Sequence, residues 1–277
     1  MSSMPVGIVT GASRGLGLAL TGALARRGWR LVVDARGEEA LRAATAGLDG
    51  VVAIAGDVAD PEHRRTLVEA AGERIDLLVN NASLLGPSPR PALGDYPLAE
   101  LARVYEVNLL APLALAQLVL PRMAPGAAIV DITSDAAVEA YEGWGGYGSS
   151  KAALEHLTAI LGVESPTVRI YSVDPGDMRT QMHQEAFPGE DITDRPPPEE
   201  SVPGLLALIE GSRPSGRYRV GDIALLDSRA RWRLVDFSRR VSRRRRSGAR
   251  ATTWRCSWRP AARASSCTRA STSCGAS

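Results

Sequence analysis

Short apolar runs rich in β-branched residues alternate along this chain with longer stretches whose apolar positions recur every three or four residues. The short runs cover residues 6–10, 30–34, 51–55, 75–80, 127–133, 168–173 and, more weakly, 217–220. Between them a helical period covers 16–27, 38–48, 62–74, 98–123, 149–164 and 202–210. Strict strand–helix alternation predicts one α/β domain, a parallel sheet with helices on both faces. There is no internal repeat. Residues 181–201 break the pattern: they are polar, carry three consecutive prolines at 196–198 and show no period, so a functional or disordered loop is expected there.

Composition divides the chain further. Its 277 residues suffice for one large core, and with aromatics at 5% the apolar content is mostly aliphatic, which suits parallel strands covered by helices. The net charge of +2 hides an asymmetry. Residues 1–227 hold 19 basic and 30 acidic side chains, whereas 228–277 hold 14 Arg and a single acid, Asp236. The expected domain therefore spans 1–227. The Arg-rich tail 228–277 is expected to be disordered or a non-native continuation, since its composition resembles an out-of-frame reading of GC-rich coding DNA. Phosphate contacts by the tail are the competing reading, against which the acidic body counts, so no nucleic-acid partner is expected. Cys256, Cys267 and Cys274 all lie in the tail, so no disulfide framework shapes the body. The longest strongly apolar run, 109–120, is broken by Pro112, contains Gln117 and falls short of the roughly 20 residues a bilayer needs, so no membrane partner is expected. No basic-then-apolar leader precedes the first strand, and a cytoplasmic location is expected. His63, His156 and His183 show no metal-ligand spacing, and no metal is expected.

The first strand runs into Gly11-Ala12-Ser13-Arg14-Gly15-Leu16-Gly17 and then a helix. Glycines let the backbone turn tightly and approach a pyrophosphate, while the helix N-terminus offers free N–H groups and a positive dipole end. The spacing is G-x3-G-x-G, and a ligand-free tight turn would use such glycines too. The second strand ends Val33-Asp34-Ala35-Arg36. An acid at this tip favours the ribose hydroxyls of NAD, and an Arg just beyond it favours the 2′-phosphate of NADP. Ala35 takes the position where such an acid would act, and Arg36 after it, with Arg14 in the turn, favours NADP(H); Asp34 keeps NAD(H) open.

Tyr147-Gly148-Ser149-Ser150-Lys151 puts a phenol and an ammonium one helical turn apart on one face. A free Tyr titrates near pH 10, and a nearby cation would bring the phenol closer to acid/base work at neutral pH. Such a spacing also arises in surface pairs. Against that, Lys151 is the only lysine in a chain that otherwise uses Arg.

With these motifs in order, the chain resembles the short-chain dehydrogenase/reductase family over roughly residues 5–222. The match takes in residues 10–17, Asp57-Val58, Asn80-Asn81-Ala82-Ser83, Asn108, Ser134, Tyr147, Lys151, Pro175-Gly176 and Thr180. The resemblance implies a Rossmann-type doubly wound sheet of about seven strands, ordered 3-2-1-4-5-6-7. It implies an NAD(P)-dependent oxidoreductase that interconverts a carbonyl and a secondary alcohol, taking a small-molecule substrate and working as a homo-oligomer, dimer or tetramer. Tyr147 would donate or accept the proton, Ser134 would hold the substrate oxygen, and Lys151 would bind the nicotinamide ribose and tune Tyr147. Asn108 would carry a relay water on its carbonyl, left unpaired in a regular helix because Pro112 has no N–H; a plain proline kink fits equally. Gly11, Ser13, Arg14, Gly15, Leu16, Gly17 and Arg36 would hold the phosphates and ribose. Asp57 and Val58 would meet the adenine, and Asn80 and Ala82 would line the cleft. Pro175, Gly176, Met178 and Thr180 would meet the nicotinamide end. The family has Gly in the place of Ser83, a small departure.

Tyr141 and Trp144, just before Tyr147, and Met182 and Phe187 in the 181–201 loop are candidates for the substrate pocket or for plain packing. The competing function is a non-catalytic dinucleotide-binding sensor on the same fold, against which Ser134, Tyr147 and Lys151 count.

Overall fold

The computed structural model describes residues 4–223. The expectations for the Arg-rich tail and its cysteines lie outside the described residues. Seven strands, β1 (Val6–Val9), β2 (Arg30–Ala35), β3 (Val51–Ala55), β4 (Ile75–Asn80), β5 (Met123–Ile132), β6 (Arg169–Asp174) and β7 (Gly216–Arg219), form one sheet ordered 3-2-1-4-5-6-7. Every neighbouring pair is parallel. Helices α1 (Gly15–Ala25), α2 (Glu38–Thr45), α3 (Pro61–Ala71), α4 (Leu98–Tyr105), α5 (Ala111–Val119), α6 (Gly145–Glu164), α7 (Gln181–Ala186) and α8 (Val202–Ile209) connect and cover it.

Because successive strand residues point to opposite faces, the continuous apolar runs feed two cores. Val9, Leu31, Val33, Leu77, Val79 and Val130 pack with Leu20 and Leu24 of α1 and Leu205 of α8. Their neighbours Ile8, Val32, Leu78 and Ile129 pack on the other face with Leu67 and Val68 of α3 and Leu115 and Val119 of α5. The arrangement leaves the carboxyl ends of the strands as one open edge, which turns out to carry the site.

Three expectations change. The single helix expected over 98–123 is α4, a wider π turn at Glu106–Leu110, α5 and a 3-10 turn at Leu120–Arg122; Met123 already belongs to β5. The Ala111 N–H reaches back five residues to the Glu106 carbonyl, the mark of a π turn, just before Pro112, which cannot donate. The regular helix from which a free Asn108 carbonyl was inferred is therefore absent. The helical run Leu98–Arg122 as a whole is long and apolar enough to cross a membrane, which residues 109–120 alone did not suggest; Val104, Ala111, Leu115 and Val119 are nonetheless buried inside the fold. Finally, the expected loop 181–201 contains α7, with the Thr180 hydroxyl accepting from the His183 N–H at 3.2 Å, and a 3-10 turn at Pro198–Ser201.

Candidate active site

A cleft of about 1350 Å³ opens at the carboxyl edge of the sheet. It runs past the ends of β1 and β2 and reaches β5 and α6. At one end lies the glycine turn. Gly11 and Gly15 take φ of +69° and +56°, the left-handed region where a side chain is strained. A Cβ on Gly11 would sit 2.9 Å from the Ala82 Cα, and one on Gly17 would overlap the Gly11 carbonyl oxygen. Asn81 locks the turn from β4: its Nδ2 donates to the carbonyls of Thr10 (2.8 Å) and Gly11 (3.1 Å). The backbone N–H groups of Asn81 and Ala82 each donate to the Thr10 hydroxyl at 3.0 Å.

The first turn of α1 has no side-chain cap and no acidic residue, so its N–H donors are left for an anion. Arg14 and Arg36 line the same end, Arg14 donating to Gln181 Oε1 at 2.6 Å. A glycine-cleared backbone, free helical N–H groups and two guanidiniums fit a dinucleotide's phosphates. Asp34 does not offer itself to a ribose. Its Oδ1 accepts from the Gly11 N–H at 2.8 Å and its Oδ2 pairs with His63 Nε2 at 3.0 Å. Burial pushes its carboxyl up, against the pull of these two bonds. At the loop after β3, burial also raises Asp57, but the Ala59 N–H and Arg103 outweigh it and hold that carboxyl low.

At the other end, Ser134, Tyr147 and Lys151 line the cleft together. Ser134 caps a short turn after β5: its Oγ accepts from the Ala136 N–H (3.2 Å) and donates to Asp135 Oδ1 (2.8 Å). Lys151 is 2% exposed, and its Nζ donates to the Ile132 carbonyl at 2.8 Å. Burial lowers its pKa to about 8, with buried Asp131 pulling the other way. Lys151 Nζ lies 5.6 Å from the Tyr147 ring centre. The expectation that this ammonium lowers the Tyr147 pKa is not met: burial pushes the phenol up to about 12, opposed by a hydrogen bond with Ser83. Desolvation of the phenolate outweighs a cation already committed to a carbonyl.

Of the residues assigned from sequence, Ser13, Leu16, Asp57, Val58, Ala82, Pro175, Gly176, Met178 and Thr180 also line the cleft. Gly17, Asn80 and Asn108 do not. Gly17 lies behind the turn, against the Gly11 carbonyl. Asn80 turns into the sheet and donates to Asp131 at 2.7 Å. Asn108 is buried, its amide bonded to Leu84, Ser83 and Ser150. Asn81, matched in the Asn80–Ser83 motif but given no role there, is the residue that holds the glycine turn. The sequence reading also underrated Ser83, whose hydroxyl donates to Asn108 Oδ1 at 3.1 Å and also meets Tyr147.

Tyr141, Trp144, Met182 and Phe187 do border the cleft. Trp144 meets Tyr147 edge-on at 5.7 Å and Phe187 at 5.9 Å, and Arg90 stacks over Trp144 at 4.0 Å. Leu85, Ala186 and Met182 complete this apolar wall.

Residues 5–191 match the family model described as short chain dehydrogenase. Sepiapterin reductase of Mus musculus is 35% identical over 200 residues, spanning 65% of this chain and 76% of its own. The (S)-benzoin-forming benzil reductase of Bacillus subtilis strain 168 is 33% identical over 188 residues, spanning 65% and 76%. A short chain dehydrogenase of Escherichia coli CFT073, solved with NADPH, superposes with a TM-score of 0.71 at 27% identity, covering 78% of this chain and 96% of its own.

Proposed function

The chain belongs to the short-chain dehydrogenase family and is an NAD(P)-dependent oxidoreductase; from that premise we propose that it is an NADPH-dependent reductase of flat aromatic ketones or diketones. The convergence of Ser134, Tyr147 and Lys151 with the glycine turn on one cleft carries the reading. Commitment of Asp34 to Gly11 and His63, with Arg14 and Arg36 left at the ribose end, supports NADPH over NADH. The wall of Trp144, Phe187, Met182 and Leu85 beside Tyr147 supports an aromatic substrate, and relatives are named for benzil and sepiapterin.

When bound, the nicotinamide supplies the hydride. The protein supplies the rest. A phenol held near pKa 12 is protonated at neutral pH, so Tyr147 is poised to give its proton to the substrate oxygen. Ser134 Oγ, turning its single proton away from Asp135 Oδ1, donates to that same oxygen and fixes the carbonyl. Lys151 leaves Ile132 to meet the ribose hydroxyls and, while charged, steadies the phenolate left on Tyr147. The apolar wall excludes water.

The sign of the pH dependence follows from Lys151. Its pKa is lowered to about 8, so the ammonium is present below that pH and lost above it. Reduction should run on a plateau up to about pH 8 and fall roughly tenfold per unit beyond. NADPH consumption with benzil and with an aliphatic ketone, followed across pH, tests both points. Equal kcat/KM for the two ketones sinks the aromatic assignment, and no turnover with any carbonyl sinks the reductase reading. We place the working enzyme in the cytoplasm as a homo-oligomer, dimer or tetramer. The exposed apolar Leu98 and Leu110 of the α4–α5 run and Ile160 and Val163 of α6 support self-association.

A further inference from the structure

His63 takes no part in the roles above, yet it holds the acid at the tip of β2. Asp34 is 1% exposed and His63 7%, and the imidazole Nε2–H donates to Asp34 Oδ2 at 3.0 Å. The other carboxylate oxygen is taken by the Gly11 N–H. His63 stands in the first turn of α3, whose N-cap is Asp60. Its ring fills the space beneath the loop after β3, where a Cβ on Gly56 would overlap it. The Gly56 N–H in turn donates to the Ala35 carbonyl at 3.0 Å. The next residue, Arg64, is also buried and donates to the Val58 carbonyl at 2.6 Å. One helical turn thus braces both walls of the adenosine end: the β2 tip with its glycine turn, and the adenine-side loop.

We propose that His63 is the residue that sets cofactor choice: by holding Asp34 on the glycine turn, it keeps that carboxylate from binding an unphosphorylated ribose and leaves a 2′-phosphate to Arg36 and Arg14. The inference rests on the reading that this cleft takes a nicotinamide dinucleotide. A carboxylate selects a ribose diol by turning acceptor lone pairs toward it, and Asp34, 1% exposed, has one oxygen drawn to the Gly11 N–H and the other to the His63 imidazole. A freed charge here would also repel a 2′-phosphate. Without His63, Asp34 would be a buried, half-satisfied carboxylate, which is costly. It already borders the cleft, so turning toward the ribose relieves it.

The test is titration of the full-length chain with NADPH and with NADH, read by nicotinamide fluorescence. The variants are His63→Leu, Asp34→Asn and the double variant. Expected are an NADPH preference in the unmodified chain and about a tenfold loss of the NADPH-to-NADH affinity ratio in His63→Leu. Recovery of the ratio is expected when Asp34→Asn is added. Asp34→Asn alone should leave the ratio within about twofold, since the carboxylate is not serving the ribose; a larger change in this near-isosteric variant overturns the proposal even if His63→Leu does not fold. Equal weakening of both cofactors in His63→Leu overturns the proposal in favour of a plain structural brace. A selective loss of NADH binding in Asp34→Asn overturns it too. If the unmodified chain binds neither cofactor, the functional reading fails and the proposal with it.

Discussion

At one end of the cleft the ligand surface is backbone: Gly11 and Gly15 are forced by left-handed φ angles, and Gly17 behind them by the Gly11 carbonyl where a Cβ would sit. At the other end it is side chain: Leu85, Trp144, Met182 and Phe187 come from three separate segments and meet through ring and thioether contacts. The first kind of surface admits almost no substitution. The second can change shape one residue at a time without disturbing the sheet, so one scaffold can keep its cofactor while its substrate varies. Tyr147 stands where the two meet, its ring in the apolar cluster and Lys151 one turn further on.

Three substitutions test this contrast. The largest effect is expected for Tyr147→Phe, which removes the proton donor but keeps the ring. Turnover should fall at least about a thousandfold while NADPH binding, followed by fluorescence titration, changes less than about threefold. Substantial residual turnover would mean that another group supplies the proton. Next, Gly17→Ala drives a methyl into the Gly11 carbonyl. NADPH affinity should drop on the order of a hundredfold, with a lower Tm by differential scanning. An affinity close to that of the unmodified chain would show that the turn yields more than a backbone surface should. The smallest effect is expected from Phe187→Ala. KM for benzil should rise about tenfold with kcat and the NADPH Kd nearly unchanged; a matching loss of cofactor affinity would erase the distinction between the two ends.

The same contrast explains what could be read before the fold was known. Glycine spacing and the Tyr147–Lys151 step are local, carried by a few adjacent residues, and of these Gly11, Gly15, Tyr147 and Lys151 line the cleft, with Gly17 behind it. The central strands β1, β2, β4 and β6 were readable because they are buried on both faces and mostly apolar, whereas the edge strand β7, half-exposed Gly216–Arg219, left only a weak signal. What escaped depends on contacts across the chain. The Asp34–His63 pair joins residues 29 apart. The side-chain amide of Asn108, distinct from the backbone carbonyl given to the relay, ties the Leu84 segment to α6 through Ser150, partners that no spacing reveals. The π turn at Glu106–Leu110 keeps a helix-like apolar pattern and so hides inside one. The six residues of α7 are too few to display a period.

The solitary lysine gives the molecule a built-in chemical address. Its ε-amine is buried at the meeting point of the two ends and loses its proton near pH 8, within reach of mild conditions. An amine-acylating reagent therefore finds, apart from the chain's terminal amine, a single target, and that target lies inside the cleft. The mass added to the peptide that carries Lys151 reports on that site, and the protection given by a bound dinucleotide measures occupancy without any knowledge of the substrate.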